Sequence, residues 1–182
     1  MTAGPCRRRT LTLAIALVLG AAWPGAGDGA RAADLSGRAT VIDGDTIEID
    51  GQTIHLHGID APESGQICDL QGKAWHCGHA ATALLVELIG QEWVVCHGRG
   101  TRHDGDRVAK CKVDWLDLGA EMVTRGMAIA YLSQSRDYLP NYREARGKGN
   151  GIFAGVFIEP EKWRHGARLA IESAAPDTPA PE

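Results

Sequence analysis

Residues 41–63 read VIDGDTIEIDGQTIHLHGIDAPE, and this stretch decides the fold. Ile47-Glu48-Ile49 and Ile54-His55-Leu56 alternate apolar and polar residues around Asp50-Gly51, the period and turn of a half-buried β-hairpin. An acidic cluster lies on either side: Asp43-Gly44-Asp45-Thr46 before it, and Gly58-Ile59-Asp60-Ala61-Pro62-Glu63 after it. A hairpin returns the chain beside its own start, so Asp45, Asp60 and Glu63 can meet. Three carboxylates at one place repel one another unless a cation offsets them, and oxygen-only ligands suit Ca²⁺ or Mg²⁺. The same residues also suit ordinary acidic turns, and spacing alone leaves both readings open.

Working outward, the pattern predicts strands over 37–42, 46–49 and 52–59, then a polar loop over 64–75. A helix over 79–89 follows, stopped by Gly90, and two more strands over 92–97 and 107–113. Helical spacing returns over 116–125, closed by Gly126. A third helix spans 139–146, with Pro140 in its first turn. Ile152, Phe153 and Trp163 can cap a core. Five short strands interrupted by one helix, with helices at the end, is the element order of an OB-type β-barrel.

The ends of the chain read differently. Arg7, Arg8 and Arg9 precede an apolar run at Leu11–Leu19, and Ala30-Arg31-Ala32 supplies small residues for cleavage after Ala32 or Ala33. Residues 1–33 therefore read as an export signal, with the Sec and twin-arginine routes both open. The domain is expected over 34–165, with a disordered Pro/Ala-rich tail over 166–182. No other apolar run approaches membrane length, so a protein free in the periplasm or outside the cell is expected. Loss of the leader removes four cations and one anion and takes the formal charge from −4 to −7. Such a chain is not built to coat nucleic acid through general positive charge, so any phosphate site must be local.

Cys68, Cys77, Cys96 and Cys111 remain after the leader, and an even count in an oxidising compartment reads as two disulfides. The expected pairs are Cys68–Cys77 and Cys96–Cys111, because the second pair lies equally far from a hairpin turn near His103 and Asp104. The rival reading is a zinc site of Cys68, Cys77, His76 and His79. It lacks a short Cys-x-x-Cys spacing.

The two acidic clusters, Arg107 and the closing Gly151-Ile152-Phe153 with Trp163-Arg164 together resemble the staphylococcal nuclease (thermonuclease) family, over residues 36–164. The resemblance implies a five-stranded OB barrel with three α-helices, an SNase-like α+β fold. It also implies a Ca²⁺-dependent phosphodiesterase cutting DNA and RNA, with single-stranded or locally open nucleic acid as substrate and a monomeric state. It makes Asp45 and Asp60 carboxylate ligands of one Ca²⁺ ion, with the Ala61 carbonyl as a further ligand and Asp43 behind them. Glu63 would orient or deprotonate the attacking water. Arg107 falls on one of the family's two phosphate-binding arginines, and Tyr131 on a tyrosine near the nucleotide.

Two departures stand out. The family pattern places an arginine five residues before the second metal aspartate, where this chain has His55. Arginine brings a permanent charge and a planar fork; histidine is mostly neutral at pH 7. The approach to Arg107 reads His103-Asp104-Gly105-Asp106, with carboxylates where a phosphodiester should dock. His55 and His57 also share a strand face, which suits a phosphate-facing catalytic histidine, a Zn²⁺ site with Asp60, or two solvent-facing side chains, and the family position favours the site reading for His55. The functional expectation is an exported nuclease weakened at His55. The alternative is a catalytically impaired envelope protein, since some exported bacterial members resembling this sequence are associated with exopolysaccharide (succinoglycan) biosynthesis.

Overall fold

The computed structural model describes Met1 and residues 34–174. Apart from Met1, the expected leader lies outside the described residues, as does the chain beyond residue 174. Leu35–Gly37 (β1) and Ala39–Val41 (β2) lead into the hairpin of Thr46–Ile49 (β3) and Gln52–Leu56 (β4), then Ile59–Asp60 (β5). Cys68–Leu70 (β6) and Lys73–Trp75 (β7) form a small hairpin before the helix Cys77–Ile89 (α1). Val94–Thr101 (β8), Arg107–Val113 (β9) and Leu116–Asp117 (β10) follow, then Leu118–Thr124 (α2), Ile129–Ala130 (β11) and Leu139–Lys148 (α3). A 3₁₀ turn at Gly151–Ala154 and two short helices, Pro160–Arg164 (α4) and Ala170–Ala174 (α5), complete the described chain.

The main sheet runs β1-β8-β9-β4-β3-β2, with β10 attached to β9. Its two ends, β1 and β2, are separated in the chain by Arg38 alone, so the sheet closes on itself. The strand expected over 37–42 is the second half of a longer segment, residues 35–41, bent at that point. A Cβ on Gly37 would fall 2.6 Å from Ile49 Cγ2, so the bend admits little but glycine. With β1 and β2 counted as one bent strand the barrel has five strands, β4 and β9 parallel and the others antiparallel. This is the OB-fold.

The opening hairpin follows its pattern closely. Ile47, Ile49, Ile54 and Leu56 are buried, while Glu48 and Gln52 face solvent. Asp50 (φ 50°) and Gly51 (φ 72°) are both left-handed, as a two-residue turn matched to strand twist requires. Helix α1 lays Ala81, Leu84, Leu85 and Ile89 against the barrel, where they share one core with Val94, Leu118, Met122 and Val123. Asp117 caps α2 by accepting from the Ala120 amide at 3.1 Å.

Several boundaries differ from the sequence reading. The third strand does not run to residue 59: it stops at Leu56, and Gly58 (φ 82°) separates β4 from β5. The polar loop over 64–75 contains the β6–β7 hairpin, turned at left-handed Gln71 and Gly72. Helix α1 begins at Cys77, not residue 79. Two short helices follow the expected three. The first part of the expected disordered tail is ordered: Glu172 of α5 accepts from Trp163 Nε1 at 2.7 Å, and Arg168 lies 3.8 Å from the centre of the same ring. An aromatic anchor holds a segment whose composition alone looks unfoldable.

Both expected disulfides form. Cys96 and Cys111 are directly opposed on β8 and β9, and Cys68–Cys77 joins β6 to the start of α1. The zinc reading of Cys68, Cys77, His76 and His79 falls with the Cys68–Cys77 bond, because a disulfide sulfur is no thiolate ligand.

Candidate catalytic cavity

The β2–β3 loop, the β4–β5 corner and the β8–β9 loop surround a cavity of about 530 Å³. Asp43, Asp45, His55, Asp60, Glu63 and Tyr131 all line it, so six residues singled out from sequence meet at one place. Arg107 is not among the lining residues. Arg107 opens β9 opposite the buried Ile54, whereas the next residue, Val108, lies opposite His55 and lines the cavity with it, so strand alternation turns Arg107 to the other face. Arg102, from the end of β8, and Arg164, from α4, are the guanidinium groups that line the cavity.

The acidic wall is held from the core. Asp43 Oδ1 accepts from the Asp45 amide at 3.1 Å, which shapes the loop. A Cβ on Gly44 would sit 2.8 Å from both Ala61 and Ala81, so glycine lets this loop pack between β5 and α1. Asp45 Oδ2 accepts from the Ala61 amide at 2.9 Å, and its Oδ1 takes the Thr46 hydroxyl at 2.9 Å. Even so, burial and the adjacent Asp43 push the Asp45 carboxyl up to about 8; Asp60 adds to the rise, and the two hydrogen bonds oppose it.

Glu63 owes its position to Gln66, a fully buried amide that composition does not flag. Gln66 Oε1 accepts from the Glu63 amide at 3.3 Å, and its Nε2 donates to the Ile158 carbonyl at 2.7 Å. That second bond ties the Glu63 loop to the segment entering α4. Arg164 on α4 then donates through Nη1 to Asp60 Oδ1 at 2.8 Å and to Glu63 Oε1 at 2.6 Å. Burial works against the Arg164 charge, but the two carboxylates outweigh it and raise its pKa.

The opposite rim carries the departures. His55 Nε2 lies 3.1 Å from Asp106 Oδ2, and its Nδ1 is 3.0 Å from Thr46 Oγ1 and 3.3 Å from Arg102 Nη1. Thr46 therefore touches both walls. His57, two residues on, is not a lining residue. Burial, then Lys110 and Arg99, lower its pKa, and its Nδ1 is buried without a partner.

Do these residues fit a cation? Among the described residues no trio of His, Cys, Asp or Glu side chains is placed to hold an ion, which leaves a His55–His57–Asp60 zinc site without support. The Ca²⁺ set expected from the family needs only Asp45, Asp60 and the Ala61 carbonyl, with water completing the shell. Asp60 Oδ2 is buried with no hydrogen-bond partner, and an unpaired carboxylate oxygen out of water is costly. Five carboxylates, counting Asp104, share the cavity lining with two guanidiniums. An orphaned hard oxygen in an over-negative cavity fits a divalent cation.

The chain belongs to the staphylococcal nuclease homologue family, whose model matches residues 53–154. Asp43 and Asp45 lie ahead of the matched stretch, and the β3–β4 hairpin brings them back to Asp60. A Haemophilus influenzae protein described as an uncharacterized endonuclease is 31% identical over 117 residues, which covers 63% of this chain and 61% of that protein. The chain thus spans less than two thirds of that relative's length.

Proposed function

We propose that this protein hydrolyses phosphodiester bonds in nucleic acid with the help of one Ca²⁺ ion. The observation that carries the reading is the convergence of Asp45, Asp60 and Glu63, from the two acidic clusters on either side of the β3–β4 hairpin, on one cavity with an orphaned Asp60 oxygen. Bound by Asp45, Asp60 and the Ala61 carbonyl, the ion would supply positive charge to the phosphoryl oxygens as negative charge grows there. Glu63 takes the proton from the attacking water as the new oxygen–phosphorus bond forms, and the leaving oxygen departs as the old bond breaks and takes up a proton from solvent water. Arg164 engages Glu63 Oε1 and fixes its orientation, leaving the second carboxylate oxygen for that proton. Tyr131 offers a ring face to a neighbouring base or sugar. A cavity of about 530 Å³ admits a nucleotide-sized unit, which favours single-stranded or locally open substrate over an intact duplex.

The two disulfides support folding in an oxidising compartment, the periplasm or the exterior, in keeping with the leader-like start of the sequence. The imidazole at position 55, tied to Asp106, makes for a slow enzyme. That same pair favours a second reading, an impaired family member with a binding or accessory role in envelope exopolysaccharide synthesis.

Incubation of the leader-free protein with single-stranded DNA or RNA, in Ca²⁺ or in chelator, separates the two. Cleavage that depends on Ca²⁺ and disappears in Glu63→Gln supports the enzyme. No Ca²⁺-dependent cleavage at any neutral or alkaline pH overturns it, and a deletion strain with altered exopolysaccharide chain length would then favour the accessory role.

A further inference from the structure

With His55 where the family pattern has an arginine and Arg107 off the cavity lining, neither expected guanidinium faces the substrate space from its expected position. The cavity nevertheless contains two guanidiniums, and they are in different circumstances. Arg164 is committed to Asp60 and Glu63 through short bonds from one nitrogen. Arg102 has one carboxylate contact, Nε to Asp104 Oδ2 at 3.4 Å, between side chains that are each about half exposed. Such a pair is weak and readily exchanged for a better anion.

The remaining contact of Arg102 is the informative one. Its Nη1 lies 3.3 Å from His55 Nδ1. Arginine can only donate; with the ring proton on Nε2, where Asp106 Oδ2 accepts it at 3.1 Å, His55 Nδ1 accepts from Arg102, while Thr46 Oγ1, 3.0 Å from the same nitrogen, keeps its proton on Asp45 Oδ1. Asp106, His55 and Arg102 therefore form a relay in which each member fixes the next. It delivers a guanidinium to the spot beside position 55, with Nη2 and the rest of Nη1 still able to donate.

We propose that Arg102 is the phosphate-binding residue of this cavity, and that His55 and Asp106 are positioning residues that hold it there. The arginine lost at position 55 is thereby replaced by one reaching in from the β8–β9 loop. The substrate phosphate exchanges for Asp104 on the guanidinium and accepts from its fork, which suits a phosphodiester better than a carboxylate on a flexible loop does. The proposal rests on the phosphodiester reading above.

The test measures binding of a fluorescent single-stranded oligonucleotide by anisotropy, in chelator and in Ca²⁺, beside cleavage rates. Arg102→Gln should weaken binding roughly 10-fold or more, as loss of a charge-assisted hydrogen bond does, and lower the salt dependence by about one phosphate contact. Its loss should exceed that of Arg107→Gln. His55→Arg placed on Arg102→Gln should restore much of the binding by returning a guanidinium to its family position. His55→Asn, whose Oδ1 can accept in place of Nδ1, should keep more binding than His55→Leu while the two melt alike. Unchanged binding and cleavage in Arg102→Gln, or a larger loss in Arg107→Gln, overturns the role of Arg102 alone. An unmodified protein that neither binds nor cleaves overturns the underlying phosphodiester reading, and this role with it.

Discussion

The acidic wall of the cavity grows out of the barrel core, whereas the basic rim hangs on the loop between β8 and β9. Asp60 is 4% exposed and Gln66 is fully buried, and glycine at 44 lets the Asp45 loop nest between two alanines. Arg102, His103 and Asp104 are exposed, and the ion pair between Arg102 and Asp104 stands largely in water. A carboxylate cluster must be pre-built, because mutual repulsion would splay it open. A phosphate-binding cation need only reach its anion, and it can come from any loop within range. The rigid wall is where residue type and spacing hold; the loop is where chemistry can move between positions.

That contrast can be broken in graded ways. Glu63→Gln, in the rigid wall, should cost about 10²–10⁴ in cleavage rate while leaving the melting temperature near that of the unmodified protein, because it removes the proposed general base from a folded site. A melting loss that matches the activity loss would show that the wall depends on Glu63 for folding instead.

Stability of the metal-free protein should depend on pH through the same wall. The Asp45 carboxyl is raised from 3.8 to about 8 in the fold, so the folded state holds this proton more tightly than the unfolded chain. Its contribution is full below about pH 4 and is lost as pH rises through about 8, so stability should fall across that window. Urea midpoints measured in chelator should show that fall. Asp45→Asn should flatten it, and Ca²⁺ should offset it at the alkaline end. A midpoint that rises steadily from pH 4 to 8 in the absence of metal would contradict the burial and crowding ascribed to Asp45.

Gln66→Leu removes an amide that serves both the Glu63 backbone and Ile158. It should cost about 1–3 kcal/mol in urea unfolding by leaving buried polar groups unpaired. It should also slow cleavage more than a distant substitution of equal cost. The smallest effect is expected from Thr46→Val, which cuts a side chain that touches both walls. About 1 kcal/mol of stability should go with its hydroxyl, and binding of the oligonucleotide should weaken without a change in Ca²⁺ affinity. If Ca²⁺ affinity falls in step, the two walls are a single unit and the contrast between them fails.

Much of this was legible in the sequence for a physical reason. The period-two hairpin, the Asp50-Gly51 turn and the opposed cysteines are local or pairwise signals, and the structure realises each of them. The acidic cluster was legible because one hairpin brings its parts together. Three features were not. Gln66 looks like any polar loop residue until burial shows what it satisfies. The chain past residue 165 reads as a featureless tail until Trp163 provides its anchor. The phosphate side depends on strand register, and a shift of one residue moves a side chain to the other face. Asp106 bonds His55, next to it Arg107 does not line the cavity, and no spacing argument at the entrance of β9 distinguishes the two.

The central claim is that Asp45, Asp60 and Glu63 frame a cation-and-water site. Calorimetric titration of the leader-free protein with Ca²⁺, beside Asp60→Asn, tests it most directly. One ion should bind per chain, and that binding should be lost in Asp60→Asn, with both proteins folded. No heat of binding up to millimolar Ca²⁺, or binding that survives unchanged in Asp60→Asn, would contradict it.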